Sequence, residues 1–365
     1  MNGSPQPARA RYEARWQAWA QHRGWTARLL WPMSQLLAAI NAARRLGYSQ
    51  GWLRTEQLPV PVIVVGNVVA GGAGKTPTVI ALVRHLQRKG WRPGVVSRGY
   101  GRASEALTPV GATTTPAEAG DEPLLIQQIT GVPVCVARQR ADAGRALLAQ
   151  HPTVNLIVCD DGLQHLAMGR DLSIAVFDER GIGNGWLLPA GLLREAWPPA
   201  ARNPHRPDVL LVQRREAAPK IALATHCIPR FDAQRRLADE VHNLAGERAA
   251  LATLRGQPLT GLAGIARPSA FFNMLRERGL TVAVEAPLHD HADAAAYRDC
   301  LRRLDGPVIC TEKDAVKLAD LLVGEAPARR QQVWVAPLEL RPEPGFFDAV
   351  DAALKPLRQT PAACA

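Results

Sequence analysis

From Val60 onward, short apolar runs alternate with segments of helical spacing. Residues 61–66, 93–97, 132–136, 154–160, 172–178 and 209–213 read as strands, and 77–89, 122–130 and 139–150 read as helices. Runs this apolar, separated by helices, specify a mostly parallel sheet covered on both faces. A second α/β series starts near Leu259: a strand to Ala263, a helix at 268–278, a strand at 280–285, a helix at 293–304, and strands at 307–311 and 332–336. The stretch 215–258 has weaker periodicity and reads as a connection. The expected organisation is therefore 1–57, 58–214, 215–258 and 259–365.

The first 57 residues follow another pattern. Arg9, Arg11, Arg15, Arg23 and Arg28 precede an uncharged run from Leu29 to Ala43, which Arg44 and Arg45 close. Leu29, Met33, Leu36, Leu37 and Ile40 fall on one helical stripe, with Pro32 suited to a first turn. Trp16, Trp19, Trp25, Trp31 and Trp52 surround it, and indoles favour the membrane–water boundary. The run is too short to span a bilayer, so the pattern suits a helix lying in one leaflet, against the alternatives of a signal peptide or a helix packed on the core.

Composition narrows the class. The 365 residues carry 44 Lys+Arg against 33 Asp+Glu, a formal net charge of +11, with 47% hydrophobic and 21% charged residues. That balance excludes a disordered or collagen-like chain and leaves material for about two domains. The excess charge calls for an acidic partner: nucleic acid, anionic lipid or a phosphorylated substrate. Lysines stand only at 75, 89, 220, 313, 317 and 355, so arginine is the default cation. Cys135, Cys159, Cys227, Cys300, Cys310 and Cys364 show no CxxC spacing and read as reduced thiols.

The strongest chemical signal follows the first strand. In Val62–Thr76 an apolar run passes into a glycine-rich loop, and Gly74-Lys75-Thr76 opens a helix. Gly71, Gly72 and Gly74 allow backbone N–H groups to close around phosphate oxygens, Lys75 meets the β/γ-phosphates and Thr76 suits Mg²⁺. Val69 stands where the general phosphate-loop pattern has glycine. Asp160 and Asp161, at the end of a later apolar strand, supply the carboxylate such a metal needs. Phosphoryl transfer or hydrolysis is the class implied. The guanine-recognition spacing is absent, since Lys313 and Asp314 are adjacent, so ATP is the expected nucleotide.

The segments Val65–Pro77, Ser97-Arg98-Gly99-Tyr100-Gly101-Arg102, Gly120–Leu125, Asp160–His165, Leu188–Glu195, Asp290-His291 and Thr311–Asp314 resemble, in that order, the bacterial tetraacyldisaccharide 4′-kinase family. The resemblance covers nearly the whole chain. It implies a phosphate-loop α/β fold with a second, smaller α/β domain and an N-terminal membrane-associating helix. The implied reaction is ATP- and Mg²⁺-dependent phosphorylation of the 4′-hydroxyl of a tetraacylated glucosamine disaccharide 1-phosphate, giving lipid IVA. The implied location is the cytoplasmic face of the bacterial inner membrane, on anionic lipid, with no nucleic acid and no obligate protein partner.

By the same resemblance, Val69, Ala70, Gly71, Gly72, Ala73, Gly74, Lys75 and Thr76 bind ATP. Thr76, Asp160, Asp161 and Glu195 serve the metal. Ser97, Arg98, Tyr100, Gln164 and Arg194 lie near the lipid head group. Asp121 is the base facing the 4′-hydroxyl, assisted by His291, which places the site in a cleft between domains. Ala266 stands where a glycine is expected, and His289 offers a second histidine beside Asp290. A metallochaperone- or ligase-type ATPase is the competing enzyme class, and a basic nucleic-acid module the competing non-enzyme.

Overall fold

The structure, a computed structural model, describes residues 16, 19–200, 203–290, 292–304, 306–324 and 326–358. Arg9, Arg11, Arg15, His291 and Cys364 lie outside the described residues. The strands are β1 (Val62–Gly66), β2 (Pro93–Ser97), β3 (Thr108–Val110), β4 (Val134–Val136), β5 (Leu156–Asp160), β6 (Leu172–Phe177), β7 (Val209–Arg215) and β8 (Arg230–Leu237). They continue as β9 (Glu240–Asn243), β10 (Arg248–Ala250), β11 (Pro258–Ala263), β12 (Thr281–Pro287), β13 (Val308–Thr311), β14 (Val333–Ala336) and β15 (Leu338–Pro342).

Among the described residues these strands build a nine-stranded sheet, ordered β15-β8-β7-β6-β1-β5-β2-β4-β3, and a six-stranded sheet, ordered β10-β9-β14-β13-β11-β12. In the larger sheet β15 and β3 are antiparallel edges, and every pairing between them is parallel. Its central strands β1, β5 and β6 are buried along their whole length, as their unbroken apolar runs require. One face packs under Val79, Leu82 and Leu86 of the Lys75–Arg88 helix and Ile126 of the Asp121–Thr130 helix. The other packs Val64, Val96 and Cys159 under Val69, Leu192 and Leu193. The C-terminal ends of β1, β5 and β2 lie side by side, so the phosphate loop, Asp160 and Ser97 meet at one rim, where open α/β sheets bind ligands.

The stretch 215–258 is more than a connection. β8 extends the large sheet beside β7, whereas β9 and β10 join the small one. After β14 the chain crosses back: β15 pairs with β8, and Phe346, Val350 and Leu354 of the Pro344–Arg358 helix enter the core of the large lobe. The tail of the expected smaller domain thus belongs structurally to the larger sheet. β8 escaped the sequence pattern because its polar members are spent on ion pairs, Arg235 with Glu179 and Arg236 with Glu339.

The N-terminal helix runs from Trp25 to Ser49, so Pro32 lies inside it and not in its first turn. Three of its polar residues, Ser34, Asn41 and Arg45, face the protein, while Arg28, Gln35 and Arg44 are exposed. The Ser34 hydroxyl donates to the Leu187 carbonyl at 2.8 Å and accepts from the Ala190 N–H at 3.1 Å. Asn41 donates to the Arg194 carbonyl at 2.9 Å, and Arg45 pairs with Glu195. Leu37 and Ala38 pack on the core, while Leu29 (72% exposed), Met33, Leu36 and Ile40 (54%) point outward. Polarity is therefore reversed relative to an ordinary surface helix. No described helix is long and apolar enough to cross a membrane.

Candidate active site

The phosphate loop is held by three side chains that sequence reading did not single out. Asn67, buried at the exit of β1, donates through Nδ2 to the carbonyls of Val69 and Gly71, and its Oδ1 accepts from Lys75 Nζ at 3.4 Å. Gln213, in β7, donates to the Gly74 carbonyl at 2.8 Å. A Cβ at Gly74, whose φ is +81°, would fall 2.0 Å from Gln213 Oε1, so this position is confined to glycine. Arg180 donates to the carbonyls of Ala70 at 3.1 Å and Gly72 at 3.4 Å. Val69 is accommodated because its side chain is buried in the core beneath the loop. It bridges Leu193, the Ala70 N–H bonds the Leu192 carbonyl at 2.8 Å, and the valine side chain is buried beside Leu193. Burial of such a side chain contributes about 1.5–3 kcal/mol.

At the end of β5, Asp160 is 1% exposed, and neither carboxylate oxygen has a hydrogen-bond partner. Burial, reinforced by the negative charge of Glu122, pushes its pKa up to about 7 against the pull of Lys75. Asp161 has a left-handed backbone, φ +49°, which turns its carboxylate toward Lys75 at 3.7 Å and Arg194 at 3.2 Å. Burial alone would raise it, yet Lys75 and Arg194 outweigh that and hold it below the usual carboxylate range. Arg140 fixes the same turn by donating to the Asp161 carbonyl at 2.7 Å. Burial, then Arg140, presses His165 down to about 4, so it is neutral near pH 7.

An orphaned, buried carboxylate beside Lys75 fits a cation. Among the described residues no three His, Cys, Asp or Glu side chains converge on one point. Mg²⁺ in nucleotide sites takes one or two carboxylates with water and phosphate oxygens, so Asp160 and Thr76 suffice. Glu195 is occupied otherwise: Arg45 holds one oxygen, and Gln164 Nε2 donates to the other at 2.6 Å. Gln164 also donates to the Asn67 carbonyl at 3.0 Å. Glu195 and Gln164 therefore link the N-terminal helix to the base of the phosphate loop.

Asp121 opens the Asp121–Thr130 helix and is buried, with Lys317 Nζ 2.9 Å from its Oδ2. Its carboxylate stands at the positive end of the helix dipole. The loop after β2 is pressed onto this turn. A Cβ at Gly99 would lie 2.5 Å from the Ala119 carbonyl, and one at Gly120 would lie 3.0 Å from the Tyr100 carbonyl. Ser97 is buried and its hydroxyl accepts from the Gly99 N–H at 3.4 Å. Arg98 and Tyr100 project outward beside a groove of about 160 Å³, also lined by Arg102 and Arg138.

Among the ion pairs between the lobes, two acidic pairs of the large lobe meet cations of the small one, and Arg215 of the large lobe meets Glu277 at 2.8 Å. Arg267 lies 2.9 Å from both Asp178 and Glu179, and Asp178 also holds Arg180 at 3.0 Å. Burial would raise Asp178, but Arg180 and Arg267 together keep it below the usual range. Lys313 and Lys317 reach Glu122 at 3.6 Å and Asp121 at 2.9 Å. Ala266 sits on the phosphate loop, where a Cβ at Gly72 would be 3.1 Å from its own Cβ. The small lobe thus touches the loop and Asp121 at once.

Comparison with known proteins agrees with this geometry. The family described as "Tetraacyldisaccharide-1-P 4'-kinase" matches residues 26–355. The tetraacyldisaccharide 4'-kinase of Acidovorax sp. (strain JS42) is 51% identical over 356 residues, 97% of this chain and 97% of that protein. That of Polaromonas naphthalenivorans (strain CJ2) is 50% identical over 345 residues, 93% of this chain and 94% of that protein. The crystal structure of the "apo" form of LpxK from Aquifex aeolicus in complex with ATP aligns with a TM-score of 0.74 at 27% identity, covering 91% of this chain and 99% of that one. With a match spanning both lobes and the N-terminal helix, the chain belongs to the tetraacyldisaccharide-1-phosphate 4'-kinase family.

Proposed function

We propose that this chain transfers the γ-phosphate of ATP to the 4′-hydroxyl of a tetraacylated disaccharide 1-phosphate, forming lipid IVA, in the cleft between its two lobes. The observation that carries this reading is the convergence on one rim of Lys75, the partnerless carboxylate of Asp160, and the Asp121-Glu122 helix start, whose Glu122 raises Asp160.

In this reading residues 69–76 enclose the triphosphate, with backbone N–H groups from Gly71 to Thr76 and the Lys75 ammonium balancing its charge. Thr76 and Asp160 would hold Mg²⁺, with Asp161 beside them; when bound, the ion neutralises charge shared by the β- and γ-phosphates. The 4′-oxygen attacks the γ-phosphorus as the bond to the β,γ-bridging oxygen breaks, and the hydroxyl proton passes to the Asp121 carboxylate. A weak base serves because a loose transition state releases that proton late. Products are ADP and the 4′-phosphomonoester. His291 would assist Asp121, and Arg98 and Tyr100 would meet the head group from the open side. Arg194 and Gln164 act indirectly, through Asp161 and Glu195. The exposed stripe Leu29, Met33, Leu36 and Ile40 would lie in one leaflet of the bacterial inner membrane, at its cytoplasmic face, with nearby arginines on anionic head groups.

The test is an assay with γ-labelled ATP and the purified disaccharide 1-phosphate in detergent micelles. Label moves to the lipid, and ATP turnover without lipid is slow. Rapid lipid-independent hydrolysis with unlabelled lipid would support the ATPase reading instead.

A further inference from the structure

Lys313 and Lys317 stand one turn apart on the Glu312–Leu321 helix of the small lobe, and their ammonium groups repeat one arrangement. Lys317 Nζ lies 2.9 Å from Asp121 Oδ2 and donates to the Ala292 carbonyl at 2.7 Å. Lys313 Nζ lies 3.6 Å from Glu122 Oε1 and donates to Asp290 Oδ1 at 2.7 Å. Each lysine thus ties one acid at the start of the Asp121–Thr130 helix to the segment flanking position 291.

Lys317 is not a loose surface cation. Its side chain is 13% exposed, and its ammonium lies 5.5 Å from the ring centroid of Tyr297. Tyr297 is buried and donates to Asp314, which accepts as well from the Gly264 N–H at 2.8 Å. A short carboxylate held by a fixed ammonium has few orientations left. The helix carrying that ammonium belongs to the other lobe, so lobe separation would release it.

We propose that Lys317 is a positioning residue for phosphoryl transfer: it ties the Asp121 carboxylate to the backbone beside His291, so that the base is oriented only while the lobes are together. This rests on the reading of Asp121 as base. It predicts a loss in kcat with nucleotide affinity preserved, since Lys317 acts on the proton acceptor and not on the phosphate loop.

The full chain is assayed in micelles as Lys317→Met, Lys317→Arg, Asp121→Asn and the double variant Asp121→Asn/Lys317→Met, with ATP affinity from calorimetry. Lys317→Met lowers kcat about 100-fold, in the range of lost acid–base assistance, with the ATP Kd within about twofold. Lys317→Arg recovers part of the loss, its planar fork matching the site imperfectly. The double variant falls no more than about threefold below Asp121→Asn, because the two act as a unit. Glu277→Gln, which removes a separate ion pair between lobes with Arg215 at 2.8 Å, leaves turnover unchanged. If Lys317→Met does not fold, Lys317→Gln carries the same expectation, keeping a donor for Ala292 without the charge.

Wild-type kcat in Lys317→Met beside an impaired Asp121→Asn overturns the proposal alone, as do losses that multiply in the double variant. Wild-type kcat in Asp121→Asn overturns the base reading itself, and the proposal with it.

Discussion

Arg267 of the small lobe lies 2.9 Å from the buried carboxylate of Asp178 in the large lobe. The same carboxylate holds Arg180, which donates to the carbonyls of Ala70 and Gly72. One side chain therefore separates an ion pair between lobes from the backbone of the glycine-rich loop. Arg267→Ala should raise the calorimetric Kd for ATP about tenfold, through loss of preorganisation, while changing kcat less. Asp178 keeps Arg180 in that variant, so the fold should survive. Unchanged ATP affinity would separate the ion pair from the loop.

Asp121 is buried at a helix start and faces Lys317, so its replacement removes a held acceptor and no packing of consequence. Asp121→Asn should lower kcat by about 10²–10⁴-fold with the ATP Kd little changed. Steady-state kinetics on both substrates, paired with calorimetry, make the comparison.

Asp160 offers a pH test with a definite sign. Its folded pKa is raised to about 7, above an unfolded value near that of a free carboxyl. Between those two values the folded state binds more protons than the unfolded one. Stability is thus lost as pH rises across that window, down to its lowest level above pH 7. Asp160→Asn removes the charge, so in chelator its melting temperature should exceed wild type at pH 8, with the gap narrowing toward pH 5. The same variant should be inactive, having lost the carboxylate proposed for Mg²⁺. Equal melting curves at both pH values would contradict the buried, partnerless state.

Much of this was legible in the sequence because it is local. The fully buried strands β1, β5 and β6 appear as continuous apolar runs, and the phosphate loop as glycines before Lys75. What escaped is held by distant pairings. Arg267 and Glu179 are 88 positions apart, and Gln213 and Gly74 are 139 apart, so no spacing announces either contact. β8 was hidden by its arginines and β15 by the crossing between lobes. One signal was available and unused. In a chain where arginine is the default cation, three of six lysines, Lys75, Lys313 and Lys317, stand at the cleft. A compact ammonium fits where a guanidinium fork would not. Asn67 likewise stood out as a polar residue ending an apolar strand.

The N-terminal helix carries a separate expectation. Its outward stripe, including Leu36 and Ile40, touches no core, whereas Ser34, Asn41 and Arg45 anchor it inward. Leu36→Glu with Ile40→Glu should weaken sedimentation with anionic vesicles at least about tenfold, each lost apolar contact and added charge acting in the same direction. ATP affinity should be unchanged. Undiminished vesicle binding would show that the stripe does not enter lipid.

The most direct measurement is the position of the transferred phosphate. After reaction of the full chain with ATP, Mg²⁺ and the tetraacylated disaccharide 1-phosphate, ³¹P–¹H correlation of the purified lipid should show a second phosphomonoester coupled to the proton at C4′, with the C1 phosphate intact. A product phosphorylated elsewhere, or phosphate released only as the inorganic ion, would contradict the account.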